Sequence, residues 1–557
     1  MARWLAIHAV FFALAAAVLW PALNGPFVSD DHLYANHPYT AELSLANARA
    51  IFDPFGPAKL HTANYEPVHL WLHALERQIF ADATRGYHLV NAWVHALVAT
   101  LLLALWRRSA IPLGAGLVAG VFFLVHPANV EAVAWISQLK TTASVALALG
   151  ALLLLPGHGA LATALFALAL LTKASAAFAL AMAVGFAWAC TRREGRRVSA
   201  VWVAAWAALL ALYALPELTS FEHLGRARAE ALSDPWVHLR TVGATGARYL
   251  AMAATGWGVS AFQEPAPARS ALDPWWLASL AAGALLALRL AVVLRRRDDE
   301  AAWWLGALAA FAPVSQVFPF LNPLADRYLY TMLPGLLGGA LCAARGPIAR
   351  LPRRARPAAA AAGLAVCAAM AIGSFDRARL WRSETLLNLD AARHYPEGGS
   401  ARFLRARAAA QAGDVATAVA ELREASLRGI DNFSVLERDP GLAPIREEPA
   451  FRELVAEVAG RWIERAQQRG VATQAELRFL GLAHVARGEL DAAVAALERA
   501  AAAGGPLTDQ VATELAAVRD LRARSEPQPG ADDIRKAAQP PRSEAQPSEA
   551  GEPERAR

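Results

Sequence analysis

The chain has 557 residues, 56% of them hydrophobic and 18% charged, with a mean hydropathy of +0.28, whereas a soluble domain carries roughly 25% charged residues. The net charge is +6, but the arginines of the first two thirds stand in short clusters between apolar runs rather than on a basic aromatic face, which excludes nucleic acid as a partner. Cys190, Cys342 and Cys367 all lie in or beside apolar runs, which excludes a disulfide framework and a Cys-x-x-Cys metal site.

A spanning helix needs about 20 mostly apolar residues. Eleven candidates follow one another at 4–20, 87–106, 111–125, 136–155, 160–172, 175–190, 198–214, 275–294, 301–318, 329–344 and 357–374. The first is read as a span rather than a cleaved signal peptide, because cleavage would leave the first loop with no upstream helix to hold it and no clean small-x-small site stands before Pro21. Eleven crossings from a cytoplasmic N-terminus place every short basic loop inside: Arg107 and Arg108, Thr191 to Arg197, Arg295 to Arg297, and Arg345 to Arg356. The same parity places loop 21–86, the segments His126 to Ser137 and Gln316 to Tyr328, and the C-terminal third outside.

Two stretches test that count. Residues 160–190 carry Lys173 among apolar and small residues; two short crossings with Lys173 at the outer turn keep the 191–197 arginines inside, and one long helix does not. Residues 238–262 contain Arg240, Arg248 and four glycines and are read as a helix on, or dipping into, the outer face.

Beyond Ser374 the chain turns aqueous. Residues 474–506 follow the tetratricopeptide pattern, with Leu480 and Gly481 in a first helix, Gly488 at the turn, Ala493, Leu497 and Ala500 in a second, and Pro506 after it. A weaker copy runs from Gly398 to Gly429, and Asp439 to Val458 is a further amphipathic stretch. After Arg524 the composition becomes rich in Pro, Glu, Gln, Ser and Gly, a disordered tail. The expected architecture is all-α: a polytopic membrane bundle of about 11 spans over 1–374, a periplasmic tetratricopeptide-like domain over 375–522, and a tail over 523–557. Four lysines, Lys59, Lys140, Lys173 and Lys536, against fifty arginines point to a GC-rich bacterial genome, hence a multi-pass protein of the bacterial inner membrane.

The polar groups collect at the outer side. Ser29-Asp30-Asp31-His32 directly follows the first span, in a loop with seven acidic and four basic residues. A carboxylate pair at the outer end of a helix can supply a general base; the plain alternative is a solvated acidic loop. His69 and His73 are four apart on an expected helix, but without an adjoining Glu or a third ligand they give a metal no support. Glu131, Lys140, Lys173 and the triplet Asp326-Arg327-Tyr328 all sit where apolar runs end or break. Ionisable groups in such places usually face a polar cavity or a partner, so one cavity gathering Asp30, Glu131, Lys140, Lys173 and Arg327 is expected. Interfacial snorkelling accounts for each taken singly.

Six segments in order, DDHLYANHPY (30–39), GYHLVNAWVHALVATLLL (86–103), HPANVEAVAWISQLK (126–140), LTKASAAFAL (171–180), PLADRYLYTMLPGLL (323–337) and LWRSETLLNLDAARHYP (380–396), resemble the GT-C membrane glycosyltransferases with C-terminal tetratricopeptide repeats, the transmembrane and tetratricopeptide-containing O-mannosyltransferases. The resemblance covers residues 1 to about 510. It implies a polyprenyl-phosphate-linked sugar as donor, transfer on the outer face to a hydroxyl of a protein or glycan, and a first-loop acidic residue as base. On the matching positions it implies catalytic roles for Asp30, Asp31 and Glu131 and a donor-phosphate site of Arg327, Lys140, Lys173, Tyr328 and Asp326, with Asp30 the favoured base. The chain departs from the pattern at Ser137-Gln138-Leu139-Lys140-Thr141, where relatives commonly read Ser-Glu-Arg-Lys-Asp, and at Tyr65-Glu66-Pro67, where they often read Tyr-Arg-Pro. Membrane lipid, the lipid-linked sugar and a protein or peptide on the repeats are the expected partners. Two other classes stay open: a non-catalytic anchor displaying repeats, which needs no cluster of ionisable groups, and a lipid-linked sugar transporter, which needs polar groups in both halves of the membrane.

Overall fold

The computed structural model describes residues 2–62, 64–189, 198–218, 232–318 and 322–525. Cys190, the basic loop Thr191 to Arg197 and the tail from 526 onward lie outside the described residues. Among the described residues the fold is built from helices without strands, apart from one isolated bridge between Gln263 and Leu324.

Each of the eleven apolar runs carries a helix. Six are long and apolar enough to cross a bilayer: Thr84–Arg108, Ile136–Leu154, Ala200–Leu218, Pro274–Arg296, Asp326–Arg350 and Arg356–Arg382. Five are shorter: Ala2–Val18, Leu113–Leu124, Gly159–Thr172, Ala174–Ala189 and Glu300–Val314. This is a multi-pass membrane protein. Pro274–Arg296 has 23 residues, which at 1.5 Å each gives about 34 Å, enough for a hydrocarbon layer of about 30 Å. Asp273 starts it by accepting the N–H groups of Trp275 and Trp276 at 2.9 and 3.1 Å, and Pro274 occupies a first-turn position where no N–H is needed.

Burial sorts these helices. Ile136–Leu154 is 83% buried over its apolar window and Pro274–Arg296 only 6%, so the first sits in protein and the second offers its surface to lipid. The first is rich in Ala, Ser, Thr and Gly, and small residues let neighbouring backbones approach. Gly335 does the same for Asp326–Arg350: a methyl group there would overlap the backbone of Trp303 and Ala307.

The run at 160–190 is broken where its charge falls. Lys173 has extended backbone, φ −164° and ψ 135°, between Gly159–Thr172 and Ala174–Ala189. Pro235–Thr255 forms the further helix expected near 238–262, capped by Asp234 and ended by Gly256 at φ +68°. Ion pairs mark the far end of Asp326–Arg350, where Arg345 meets Asp298 and, at 2.8 Å, Asp299; close by in sequence, Arg289 pairs with Glu300 at 2.6 Å.

The chain divides into two compact units, 1–462 and 463–557. The first contains the apolar helices, then Glu384–His394 and a helical hairpin of Gly399–Gln411 and Val415–Leu427 joined through Gly413 at φ +75°. The second contains a hairpin of Gln474–Ala486 and Leu490–Ala503 joined through Gly488 at φ +74°, followed by Thr508–Ser525. Here Gly481 faces Leu497 so closely that no side chain fits between them.

Candidate active site

The first outer loop folds into short helices, Asp31–Tyr34, Leu45–Phe52, Pro57–Thr62 and Pro67–Phe80, and the acidic pair stands at the start of the first. Ser29 enters it with φ +50°, a left-handed conformation that costs an L residue about 1–2 kcal/mol. Asp31 is buried, at 1% exposure. Its Oδ2 accepts the Val28 N–H at 2.9 Å and its Oδ1 the Ser137 N–H at 2.7 Å, tying the loop to the segment before Lys140. Burial pushes the Asp31 carboxyl up to about 8, against the pull of those two N–H groups. Asp30 is half-buried, and its charge acts on Tyr34, Lys140 and Arg327. The two neighbouring carboxyls therefore have different surroundings: Asp31 is buried and locks the backbone, whereas Asp30 is half-buried and its charge reaches the cations.

Three cations meet there. Arg327 donates its backbone N–H to Glu131 Oε2 at 2.7 Å and its guanidinium to Glu131 Oε1; its plane lies 5.2 Å from the Trp135 ring and 4.9 Å from that of Tyr328. Lys140 Nζ donates to Tyr34 Oη at 2.9 Å and Glu66 Oε2 at 3.1 Å and sits 4.0 Å over the Tyr34 ring. Lys173 Nζ donates to Thr141 Oγ1 at 2.7 Å and Gln138 Oε1 at 3.5 Å. Burial, with Lys140 and Arg327 nearby, lowers the Lys173 ammonium to about 7 against the pull of Glu66 and Glu131, so the groups form one electrostatic cluster. Within it Arg327 and Lys140 each hold a carboxylate, whereas the hydrogen bonds of Lys173 go to neutral oxygens. Burial alone would raise the Glu66 carboxyl, but Lys140, His69 at 3.6 Å and Lys173 outweigh it and hold it near 2.

Asp326 faces elsewhere. It accepts from the Gln263 side chain and, at 3.3 Å, from the Ser260 N–H, and it lies 3.6 Å from Arg377. Successive helical residues point about 100° apart, so Asp326 and Arg327 serve different sides of the helix start. Tyr328 is brought to the cluster through its ring under Arg327. His69 and His73 have ring centroids 4.5 Å apart, and His73 Nδ1 lies 2.7 Å from Glu76 Oε2; among the described residues no group of three or more His, Cys, Asp or Glu side chains is arranged to hold a metal.

Glu66 and Tyr34 are the members that motif reasoning did not place. The signal for Glu66 was its charge reversal within Tyr65-Glu66-Pro67; nothing local marked Tyr34. Glu217 adds a second buried carboxylate beyond them, accepting the Tyr65 N–H at 3.0 Å and the Tyr213 hydroxyl at 3.3 Å. Lys59, Lys140 and Lys173 are buried or half-buried, so three of the four lysines lie in this loop and cluster.

Protein O-mannosyl-transferase Tmtc1 of Drosophila melanogaster is 38% identical to this chain over 128 residues. Part of the chain is thus similar to a protein O-mannosyl-transferase. The match takes in 22% of this chain and spans 15% of the length of that relative. It returns the family that the ordered motifs resemble. No family model matches the chain, and no solved structure matches it.

Proposed function

We propose that this chain is a membrane glycosyltransferase of the GT-C type that transfers a sugar, with mannose the first candidate, from a polyprenyl-phosphate donor to a hydroxyl of a protein or glycan at the outer face of a bacterial inner membrane. The observation that carries the reading is the cluster itself: a half-buried carboxylate, Asp30, whose charge reaches Lys140 and Arg327, beside Lys173, which is held by neutral oxygens. A sugar phosphodiester carries one negative charge, and one cation without a carboxylate partner suits it. Asp30 takes the proton of the acceptor hydroxyl as its oxygen bonds to the anomeric carbon. The bond from that carbon to the phosphate oxygen breaks, and Lys173, with Arg327, stabilises the charge gathering on the departing polyprenyl phosphate. Asp31 holds the turn, and Glu131 and Glu66 orient Arg327 and Lys140.

The helical hairpins support a tetratricopeptide reading of the C-terminal region, with a protein or peptide as partner and a periplasmic location. The test is transfer from polyprenyl-phosphate [3H]mannose to envelope proteins by the purified chain in lipid nanodiscs, with Asp30→Asn alongside. Transfer by the natural protein and a loss of about 10²- to 10⁴-fold in the variant are expected. Donor binding without transfer would favour the transporter, and neither binding nor transfer would favour the anchor.

A further inference from the structure

The segment from Arg377 to Gly399 joins the last apolar helix to the first C-terminal hairpin, and the chemistry above uses none of its side chains. It touches three of the pieces that build the site. Arg382 Nε donates to the Pro21 carbonyl at 2.9 Å. The Trp381 ring lies 5.5 Å from that of Trp135, against which Arg327 also lies. Arg377 stands between Asp390 at 3.4 Å and Asp326 at 3.6 Å.

The fourth contact is the most pointed. Glu384 Oε1 accepts the N–H of Ser29 at 2.9 Å. Ser29 is the residue with φ +50°, a conformation that persists in an L residue when its surroundings over-determine it, and it directly precedes Asp30. The rest of that turn is held by buried bonds: Val28 N–H to Asp31, and Trp135 Nε1 to the Val28 carbonyl at 3.2 Å. The Glu384 bond is exposed and joins positions 355 residues apart, so no local feature of the chain enforces it.

We propose that Glu384 is a positioning residue for Asp30. By accepting the Ser29 N–H through its side-chain oxygen, it holds the left-handed turn that sets the direction of the neighbouring carboxylate, and it makes the segment leading to the C-terminal helices part of the site's framework. The function of that carboxylate rests on the reading above; the hold on the turn does not.

The rival account is that Glu384, as the first residue of Glu384–His394, merely places negative charge at a helix start. The two accounts separate in Glu384→Gln, which keeps an acceptor oxygen and loses the charge, set against Glu384→Ala, which loses both. In the full chain in nanodiscs, hydrogen exchange of peptides covering residues 25–36 is expected to quicken in Glu384→Ala and to stay close to the natural rate in Glu384→Gln. With polyprenyl-phosphate [3H]mannose, Glu384→Ala should lower kcat about 10- to 100-fold, as misplacement of a reacting group does, while donor KM moves less than about twofold. Glu384→Gln should restore most of the rate. Unchanged exchange in Glu384→Ala, a Gln variant as impaired as the Ala variant, or a loss confined to donor KM would each overturn the proposal. If the natural protein transfers nothing but the exchange pattern holds, the hold on the turn stands and the transferase reading falls.

Discussion

Glu131 grips Arg327 through two groups of the same residue, the backbone N–H on one carboxylate oxygen and the guanidinium on the other. The first N–H groups of a helix have no acceptor within it, so Glu131 both caps the start of Asp326–Arg350 and balances a buried charge. Glu131→Gln should therefore lower stability by about 3–5 kcal/mol, the cost of breaking a buried ion pair. Replacing Arg327 by Met in the same chain should recover part of it. Thermal unfolding in detergent measures both; a Gln variant as stable as the natural protein would show that the pair does not hold this junction.

Lys140 and Lys173 should respond differently to the same substitution. Lys140→Met strands Glu66, so the yield of folded protein should fall and Lys140→Met with Glu66→Gln should regain it, a coupling expected of direct partners. Lys173→Met strands no carboxylate, so the protein should fold and require more donor for half-maximal rate. Equal loss of yield in both single variants would contradict the assignment of Lys173 to the donor.

Asp31 gives the protein a pH dependence of definite sign. Its carboxyl stands near 8 when folded and about 3.9 when unfolded, so between those values the folded state keeps a proton that the unfolded state has released. The contribution is complete below about pH 4 and is lost as pH rises through about 8. Asp31→Asn should flatten that decline, because a carboxamide carries no titrating proton. Unfolding midpoints at about pH 5 and about pH 8 decide it: an identical slope in both proteins would remove Asp31 as the source.

A reporter fused after Arg108, Arg297 or Arg356 should be cytoplasmic and one after Arg382 periplasmic. The expectation gains support from Arg345, which pairs with Asp298 and Asp299 about 27 Å along its helix from Arg327 at 1.5 Å per residue. A cytoplasmic reporter after Arg382 would set the C-terminal helices on the face opposite to the one proposed for Asp30.

The helices were legible because lipid and protein interior both demand continuous apolar runs, and each of the eleven runs carries a helix. The break at Lys173 was legible for the same reason, since a lone ammonium in a run of alanines and leucines marks its end. Pairing was much less so. Lys140 and Glu66 are 74 positions apart and Asp31 and Ser137 are 106 apart, and composition says nothing of which distant carboxylate meets which cation. Asp326 and Arg327 read as one unit in the motif, yet helical geometry sends them to different sides. Glu384 carried no local mark of its bond to Ser29, because a glutamate opening a helix is ordinary.

The lysine distribution gives the protein a chemical gauge. Two of its four primary side-chain amines, Lys140 and Lys173, lie in the cluster, a third, Lys59, in the first-loop helix Pro57–Thr62, and the fourth, Lys536, belongs to the polar tail. Acylation of amines requires contact with the reagent, which the burial of Lys59 and Lys140 and the partial burial of Lys173 restrict. Each acyl group found at those three positions thus records an opening of this region alone, while the fifty guanidinium groups elsewhere remain silent.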